Sequence, residues 1–221
     1  MFEEPDAFEG ENEGLPPRPK SFVPVAIIFY GVMGCIALVW RMRTPGASIF
    51  HPAGNEATLD GLGFAIGAGV LLGLAAVASS EWMTRATKLG EALADTLGEG
   101  LVGLSTADAI LLAIVSGTAE EMFFRGAVQP AVGLVWASVL FGACHFLPRK
   151  ELALWSLWAV AMGAALGALF EWTGHLAAPI AAHIVINGVN LPRLARRAEE
   201  RAAEAAAEAD DDASEPPDTL H

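Results

Sequence analysis

Three ionisable residues interrupt an apolar run in the sequence Ser116-Gly-Thr-Ala-Glu-Glu-Met-Phe-Phe-Arg125. The run begins near Ala107, and its composition is typical of a membrane span. One charged side chain at bilayer depth costs roughly 2.5–3.5 kcal/mol, so three unpaired charges would oppose insertion by roughly 8–10 kcal/mol. The sequence therefore predicts that Glu120, Glu121 and Arg125 are paired, neutralised or used in chemistry.

Helical spacing divides these three charges between two faces. Glu121 and Arg125 are four residues apart, which places them on one helix face with the acid on the favourable N-terminal side. Glu120 is rotated by about 100° from Glu121 and points elsewhere. We therefore expect a structural ion pair between Glu121 and Arg125, with Glu120 facing a cavity. The alternative is that all three charges cap a helix at the membrane surface.

The composition indicates a membrane protein with acidic ends. Of the 221 residues, 53% are hydrophobic, and the mean hydropathy of +0.44 is high for a soluble domain. Six of the 26 acidic residues lie within residues 1–20 and nine within residues 198–221. We expect both segments to be disordered tails around a membrane domain of residues 21–197. No basic cluster is present to neutralise phosphates, which argues against nucleic acid as a partner.

The cysteines and the N-terminus argue against three features: a disulfide framework, a cysteine metal site and a cleaved signal peptide. Cys35 and Cys144 provide neither a disulfide framework nor metal-binding spacing. The acidic, proline-rich N-terminus lacks the basic region of a signal peptide, so the first apolar run is expected to remain in the mature protein.

The apolar pattern predicts an all-α fold, a multi-pass membrane bundle of about six transmembrane helices. The predicted spans are residues 22–40, 61–80, 107–126, 127–147, 152–172 and 176–191. Glycines in the second span permit close helix packing. Leucines at four-residue spacing within Glu81–Gly100 predict an interfacial amphipathic helix, with a solvated connecting helix as the alternative. Ser105 followed by Asp108 predicts a capped start for the third span.

The basic residues predict the orientation of this bundle. In a six-span topology, ten of them fall in the ends and loops on one side, whereas only Arg41 and Arg43 fall on the other. This bias predicts a multi-pass protein of the cell membrane with both termini in the cytoplasm.

Two further polar clusters lie within apolar spans. His145 lies near the end of the fourth span, and His183 and Asn187 share one face of the sixth. A single such histidine often only hydrogen-bonds a neighbouring helix. Together with Glu120, however, these residues come from three spans, and each would be costly facing lipid. We expect them to share one pocket accessible to water.

This combination of side chains suits hydrolysis. A carboxylate can accept a proton from water, an adjacent histidine can position that water, and a second histidine and an asparagine can donate to an oxyanion. Two alternatives stay open. Cys144 is a candidate thiol nucleophile, and glutamate with two histidines can bind zinc, although no His-Glu-x-x-His motif is present.

The motifs carry a resemblance to a known family. Glu120-Glu121-x-x-x-Arg125, Phe141-x-x-x-His145 and His183-x-x-x-Asn187, in this order and within hydrophobic spans, resemble the CPBP (Abi) intramembrane endopeptidases. This family contains the type II C-a-a-X prenyl proteases and bacteriocin-processing enzymes. The resemblance covers about residues 117–190.

The resemblance implies a glutamate-dependent membrane peptidase that needs no metal or other cofactor. It implies Glu120 as general base, His145 as its partner on the catalytic water, and His183 and Asn187 at the oxyanion site. Glu121 and Arg125 would support this arrangement. The implied partners are membrane lipids and a membrane protein or lipid-anchored peptide, cut near its C-terminus or in a membrane-proximal segment.

Two other functions remain open. The protein could be a non-catalytic membrane adaptor, or a bacteriocin-immunity-type scaffold, with the acidic tails as contact surfaces. It could also be a proton-coupled transporter with Glu120 and the histidines as a relay, although no internal repeat is visible.

Straight helices would keep Glu120 and His145 apart. His145 would lie near the cytoplasmic face of the membrane, whereas Glu120 would lie roughly 20 Å in from that face. Either Pro130 and Gly133 redirect the fourth span, or the third span starts later than predicted.

Overall fold

The computed structural model describes residues 22–44, 48–50, 59–146 and 153–214, and within these ranges it contains helices and no strand. Four helical segments are long and apolar enough to cross a membrane, which confirms the predicted all-α, multi-pass fold. The elements in chain order are α1 (Phe22–Met42), α2 (Leu59–Ala86), α3 (Lys88–Glu99), α4 (Thr106–Glu121), a π-helix (Met122–Val128), α5 (Gln129–Cys144), α6 (Ala153–Thr173) and α7 (Ala177–Ser214).

The predicted third and fourth spans form one helical segment, Thr106–Cys144, of 39 residues. Ser105 caps its start as predicted, because the Ser105 hydroxyl accepts a hydrogen bond from the Asp108 N–H at 3.1 Å. The π-helix interrupts this segment, and a sharp bend follows at Gly133, which has φ 82° and ψ 167°. The predicted end of the fourth span, at residue 147, lies outside the described residues.

Helices α2 and α7 pack closely, as the glycines of the second span predicted. A methyl group at Gly73 would lie 2.8 Å from the carbonyl oxygen of Ala182. A methyl group at Gly69 would overlap the carbonyl oxygen of Ala178. Close packing of these backbones brings α7, with its histidine and asparagine, against the rest of the bundle.

The amphipathic helix is shorter than the predicted Glu81–Gly100, because α2 continues to Ala86 and a new cap follows. The Thr87 hydroxyl accepts a hydrogen bond from the Gly90 N–H at 2.9 Å and starts α3. Leu93 and Ala94 are buried, whereas Leu89 is exposed. Helix α3 packs against α2 and α7, so the row of leucines at four-residue spacing does not form one buried face.

Helix α7 contains the predicted sixth span and continues to Ser214. Residues 198–214 are therefore helical, although the sequence predicted a disordered tail from residue 198. Alanine, glutamate and arginine are strong helix formers, and the helix also has tertiary contacts there. Ala198 is buried, and Glu199 accepts a hydrogen bond from the Gly103 N–H at 3.1 Å. The predicted tail residues 1–20 and 215–221 lie outside the described residues.

An ion-pair cluster joins α3 to α7 beyond the predicted span. Arg197 contacts Asp95 at 2.6 Å and Glu91 at 3.3 Å, and Arg201 contacts the same two carboxylates at 3.1 Å and 3.0 Å. The hydrogen bond to Asp95 raises the pKa of Arg197 above its ordinary value. These partly exposed pairs fix the position of α3 at one end of the bundle.

Candidate active site

The structure brings the four predicted polar residues to one cavity of about 620 Å³. Glu120 comes from α4, His145 directly follows the end of α5, His183 and Asn187 come from α7, and all four line this cavity. The cavity extends between the helices to α3 and to the charged residues where α2 and α7 leave the predicted spans. The expectation of one shared pocket for these side chains therefore agrees with the geometry.

Glu120 and His145 face each other across a short gap. The distance between Glu120 Oε2 and His145 Nε2 is 3.8 Å, which is too long for a direct hydrogen bond. Glu120 is 7% exposed, and its Oε2 has no hydrogen-bond partner among the described residues. His145 Nδ1 lies 2.7 Å from the Phe141 carbonyl oxygen, an acceptor, so Nδ1 carries a proton and donates to it.

Glu121 and Arg125 form the predicted ion pair at 3.1 Å, and both side chains are almost completely buried. Arg125 also donates to the Gly163 carbonyl oxygen of α6 at 3.0 Å, and its guanidinium lies 4.6 Å from the centre of the Phe141 ring. The third partner is His183, whose Nδ1 lies 2.7 Å from Glu121 Oε1. One buried carboxylate therefore joins the guanidinium of the π-helix to the imidazole of α7.

Asn187 lies one turn after His183 and contacts α4. Its Nδ2 donates to the Ser116 hydroxyl at 3.1 Å. Since a side-chain amide has two N–H donors, one donor remains for another acceptor. Ser116 had no predicted role, and its contact with Asn187 places it beside the site.

The π-helix holds the arginine of the motif in place. It starts directly after Glu121, and π-helical turns within α-helices occur frequently at functional sites. The segment 48–50 packs against it, with the Ile49 side chain so close to Gly126 that a methyl group at Gly126 would lie 2.6 Å away. The Phe50 carbonyl oxygen accepts a hydrogen bond from the Leu176 N–H at 3.1 Å, which ties this segment to the start of α7.

The structure also adds a residue that sequence reasoning missed. Tyr30 of α1 lines the same cavity as Glu120. The one available signal was that Tyr30 is the single tyrosine of the chain and stands in the middle of an apolar span.

The geometry also bears on the two alternatives, a metal site and a cysteine nucleophile. Among the described residues, no group of three or more His, Cys, Asp and Glu side chains is arranged to hold a metal ion. Cys144 is exposed and is not one of the described residues that line the cavity.

The fold and the site together define a multi-pass helical membrane protein with a buried polar centre. Residues 103–189 match the family model described as Rce1-like, type II CAAX prenyl endopeptidase. This Rce1-like segment runs from the loop before α4 into α7, includes all six predicted site residues, and confirms the resemblance drawn from the motifs.

Comparison with curated and solved proteins adds little about activity. The chain is 42% identical over 82 residues to "Uncharacterized protein YpbD" of Bacillus subtilis (strain 168). The aligned region covers 36% of this chain and 42% of that protein, so the chain spans less than half the length of this curated relative. No solved structure matches the chain.

Proposed function

We propose that the protein is an intramembrane endopeptidase in which Glu120 activates a water molecule to hydrolyse a peptide bond. The observation that carries this proposal is the gap of 3.8 Å between Glu120 Oε2 and His145 Nε2 in a cavity that can hold a substrate segment. The Rce1-like segment supports the same class of activity.

The gap suits one water molecule. Because His145 Nδ1 donates to the Phe141 carbonyl, Nε2 of the neutral ring is an acceptor, as is the Glu120 carboxylate. A water molecule that donates to both acceptors presents its oxygen lone pairs to a substrate carbonyl. Such positioning of a nucleophile by a base within hydrogen-bond reach is what general base catalysis requires.

Every bond and proton of the proposed reaction is accounted for by the water, the substrate and Glu120. The water oxygen bonds to the carbonyl carbon while Glu120 takes one water proton, and the carbonyl oxygen becomes an oxyanion. When the C–N bond breaks, Glu120 returns that proton to the leaving amine nitrogen. The products are a carboxylic acid and an amine, and no metal or other cofactor is needed for these steps.

His183 and Asn187 stabilise the oxyanion in this proposal. Asn187 has one N–H left after its bond to Ser116. The Glu121 carboxylate accepts from His183 Nδ1–H and orients the ring, and Arg125 compensates the buried charge of Glu121. In this proposal the His183 ring is protonated, so that its Nε2–H is free to donate to the oxyanion. Donors that are fixed before the reaction stabilise developing charge without a reorganisation cost.

The substrate proposed is a membrane protein or a lipid-anchored peptide, cut near its C-terminus or in a membrane-proximal segment. The cavity reaches the charged residues that follow the predicted spans in α2 and α7, which the basic-residue bias assigns to the cytoplasmic side of the cell membrane. A substrate segment would enter the cavity from that side, next to the lipid.

The deciding experiment is the substitution Glu120→Gln, which keeps the shape of the side chain and removes the base. We expect cleavage to be lost while the protein accumulates in the membrane at the wild-type level. The readout is mass spectrometry of membrane proteins, with one substrate terminus that is uncut in the variant.

The matched control is Glu204→Gln, the same change at an exposed position of α7. It should leave cleavage intact. Retained cleavage in the Glu120→Gln protein would remove the proposed mechanism, and loss of cleavage in both variants would show that the assay reports something other than the site.

A further inference from the structure

We propose that Ser116 is a positioning residue for Asn187, and that its hydroxyl fixes the Asn187 amide so that the second N–H points at the oxyanion. This proposal rests on the function proposed above, in which Asn187 donates to the oxyanion. Ser116 lies four residues before Glu120, on the same face of α4. It is 4% exposed and is not among the described residues that line the cavity, so it acts through Asn187 and not on the substrate.

Close packing of α4 and α7 brings the two side chains together. The helices approach most closely beside Ser116, at Gly117, where an added methyl group would lie 3.2 Å from the backbone nitrogen of Ile184 and 3.1 Å from its Cγ1. Small residues permit such an approach of two membrane helices. At this spacing the short Ser116 side chain reaches α7, and its oxygen accepts the hydrogen bond from Asn187 Nδ2 at 3.1 Å.

Each of the two proposed oxyanion donors therefore has its own partner on α4. His183 is held by Glu121 at 2.7 Å, and Asn187 is held by Ser116 at 3.1 Å. The partners suit the donors, since a carboxylate matches a protonated ring and a neutral hydroxyl matches a neutral amide. Both contacts are present without a substrate, as electrostatic preorganisation requires.

The hydrogen bond determines where the rest of the Asn187 amide points. A side-chain amide is planar and has two N–H donors, so an N–H fixed on the Ser116 oxygen also fixes the direction of the other. The terminal torsion of asparagine is otherwise broad. An unheld amide would present its carbonyl oxygen to the oxyanion for part of the time and repel the developing negative charge. The Ser116 hydroxyl selects the donating orientation before the reaction.

The kinetic test is Ser116→Ala, which removes only the hydroxyl. We expect kcat to fall about 3- to 10-fold, the effect of losing one neutral hydrogen bond, while KM stays within about twofold. The matched control is Ser138→Ala, because the Ser138 side chain is equally buried but donates to the Leu134 carbonyl oxygen of its own helix. It should keep the wild-type kcat. An unchanged kcat in Ser116→Ala would overturn the proposal.

A double-mutant cycle separates positioning from a general effect on the fold. Asn187→Ala removes the donor itself and should lower kcat by about 100-fold or more. Because Ser116 acts through Asn187, adding Ser116→Ala to that variant should change kcat by less than about twofold. The same loss from Ser116→Ala in both backgrounds would overturn the positioning role. These outcomes leave the proposed function intact, which fails only if Glu120→Gln still cleaves or the wild-type protein does not.

A second measurement tests the contact without any cleavage assay. The chain has four asparagines, so selective ¹⁵N labelling of asparagine gives four side-chain amide signals, and Asn187→Ala assigns the signal of Asn187 by its loss. We expect one Nδ2 proton of Asn187 to move upfield in Ser116→Ala, since it loses its acceptor, and to stay unchanged in Ser138→Ala. The same signal in wild type and Ser116→Ala would overturn the contact.

Discussion

Adjacent glutamates have opposite surroundings at this site. Glu121 is completely buried, and its Oε1 contacts both Arg125 and His183, whereas Glu120 lines the cavity and faces His145 at 3.8 Å. Among the described residues, Oε2 of each carboxylate has no hydrogen-bond partner. Rotation by one helix position causes this difference, because neighbouring residues point about 100° apart. One carboxylate is therefore suited to structure and the other to chemistry.

At the scale of single residues, Arg125→Met should destabilise the protein strongly. The change removes the cation and leaves the Glu121 carboxylate buried without its partner, which typically costs about 3–5 kcal/mol. We expect a large fall in the thermal unfolding midpoint of the detergent-solubilised protein.

Arg196→Met is the matched control for this change, because the Arg196 side chain is 71% exposed. It should shift the unfolding midpoint little. An Arg125→Met protein as stable as the control would contradict the buried ion pair. Arg125→Lys should restore only part of the stability, since one ammonium cannot reproduce the contacts to both Glu121 and Gly163.

At the scale of elements, the backbone between Glu120 and His145 decides whether these two residues meet. The π-helix and the bend at Gly133 separate Glu120 from His145 in sequence, and the structure places their side chains 3.8 Å apart. A straight helix over Thr106–Cys144 would place them far apart along one axis. The structure thus supports redirection of the fourth span, the first of the two explanations offered from the sequence.

Gly133→Ala should therefore impair both folding and cleavage. The Gly133 backbone, at φ 82° and ψ 167°, lies in a region that is essentially restricted to glycine, and strain there costs about 1–3 kcal/mol. We expect a lower unfolding midpoint and a loss of cleavage in the protein that still folds.

Gly67→Ala isolates the backbone effect. A methyl group at either Gly67 or Gly133 meets nothing within 4 Å, so the two substitutions differ in conformation and not in space. In the helix α2, alanine is favoured over glycine, and stability should be unchanged or higher. Equal effects of the two substitutions would argue against a required bend.

At the scale of the whole molecule, the residues that line the cavity are not confined to the Rce1-like segment, residues 103–189. Helices α1, α2 and α3 contribute walls to it, although they precede residue 103. The ion pairs of Arg197 and Arg201 with Glu91 and Asp95 then hold α3 against α7. The site consequently depends on most of the described chain.

Removal of residues 203–221 should leave cleavage intact. This truncation takes away acidic residues of the tail and keeps Glu199 and Arg201, which contact the loop before α4 and helix α3. Loss of cleavage would contradict this expectation and would show that residues 203–221 contribute to the reaction. Truncation from residue 198 is the comparison, and it should destabilise the protein because it removes both contacts.

Local patterns in the sequence were sufficient for much of this protein. Hydropathy predicted the helical membrane fold, Ser105 and Asp108 predicted the cap, and the four-residue spacing predicted the Glu121–Arg125 pair. These features follow from helix geometry over a few residues, and no tertiary contact can change that geometry greatly.

Only the tertiary structure decided which groups meet across helices. The partnership of His183 with Glu121 joins residues 62 positions apart, and the gap between Glu120 and His145 also joins separate helices. Helix periodicity carries no information on contacts between residues so far apart in sequence. They depend on one glycine bend, a π-helical turn and the close packing of small residues between α2 and α7. Packing fixes these relations because each requires two backbones to approach in a single arrangement.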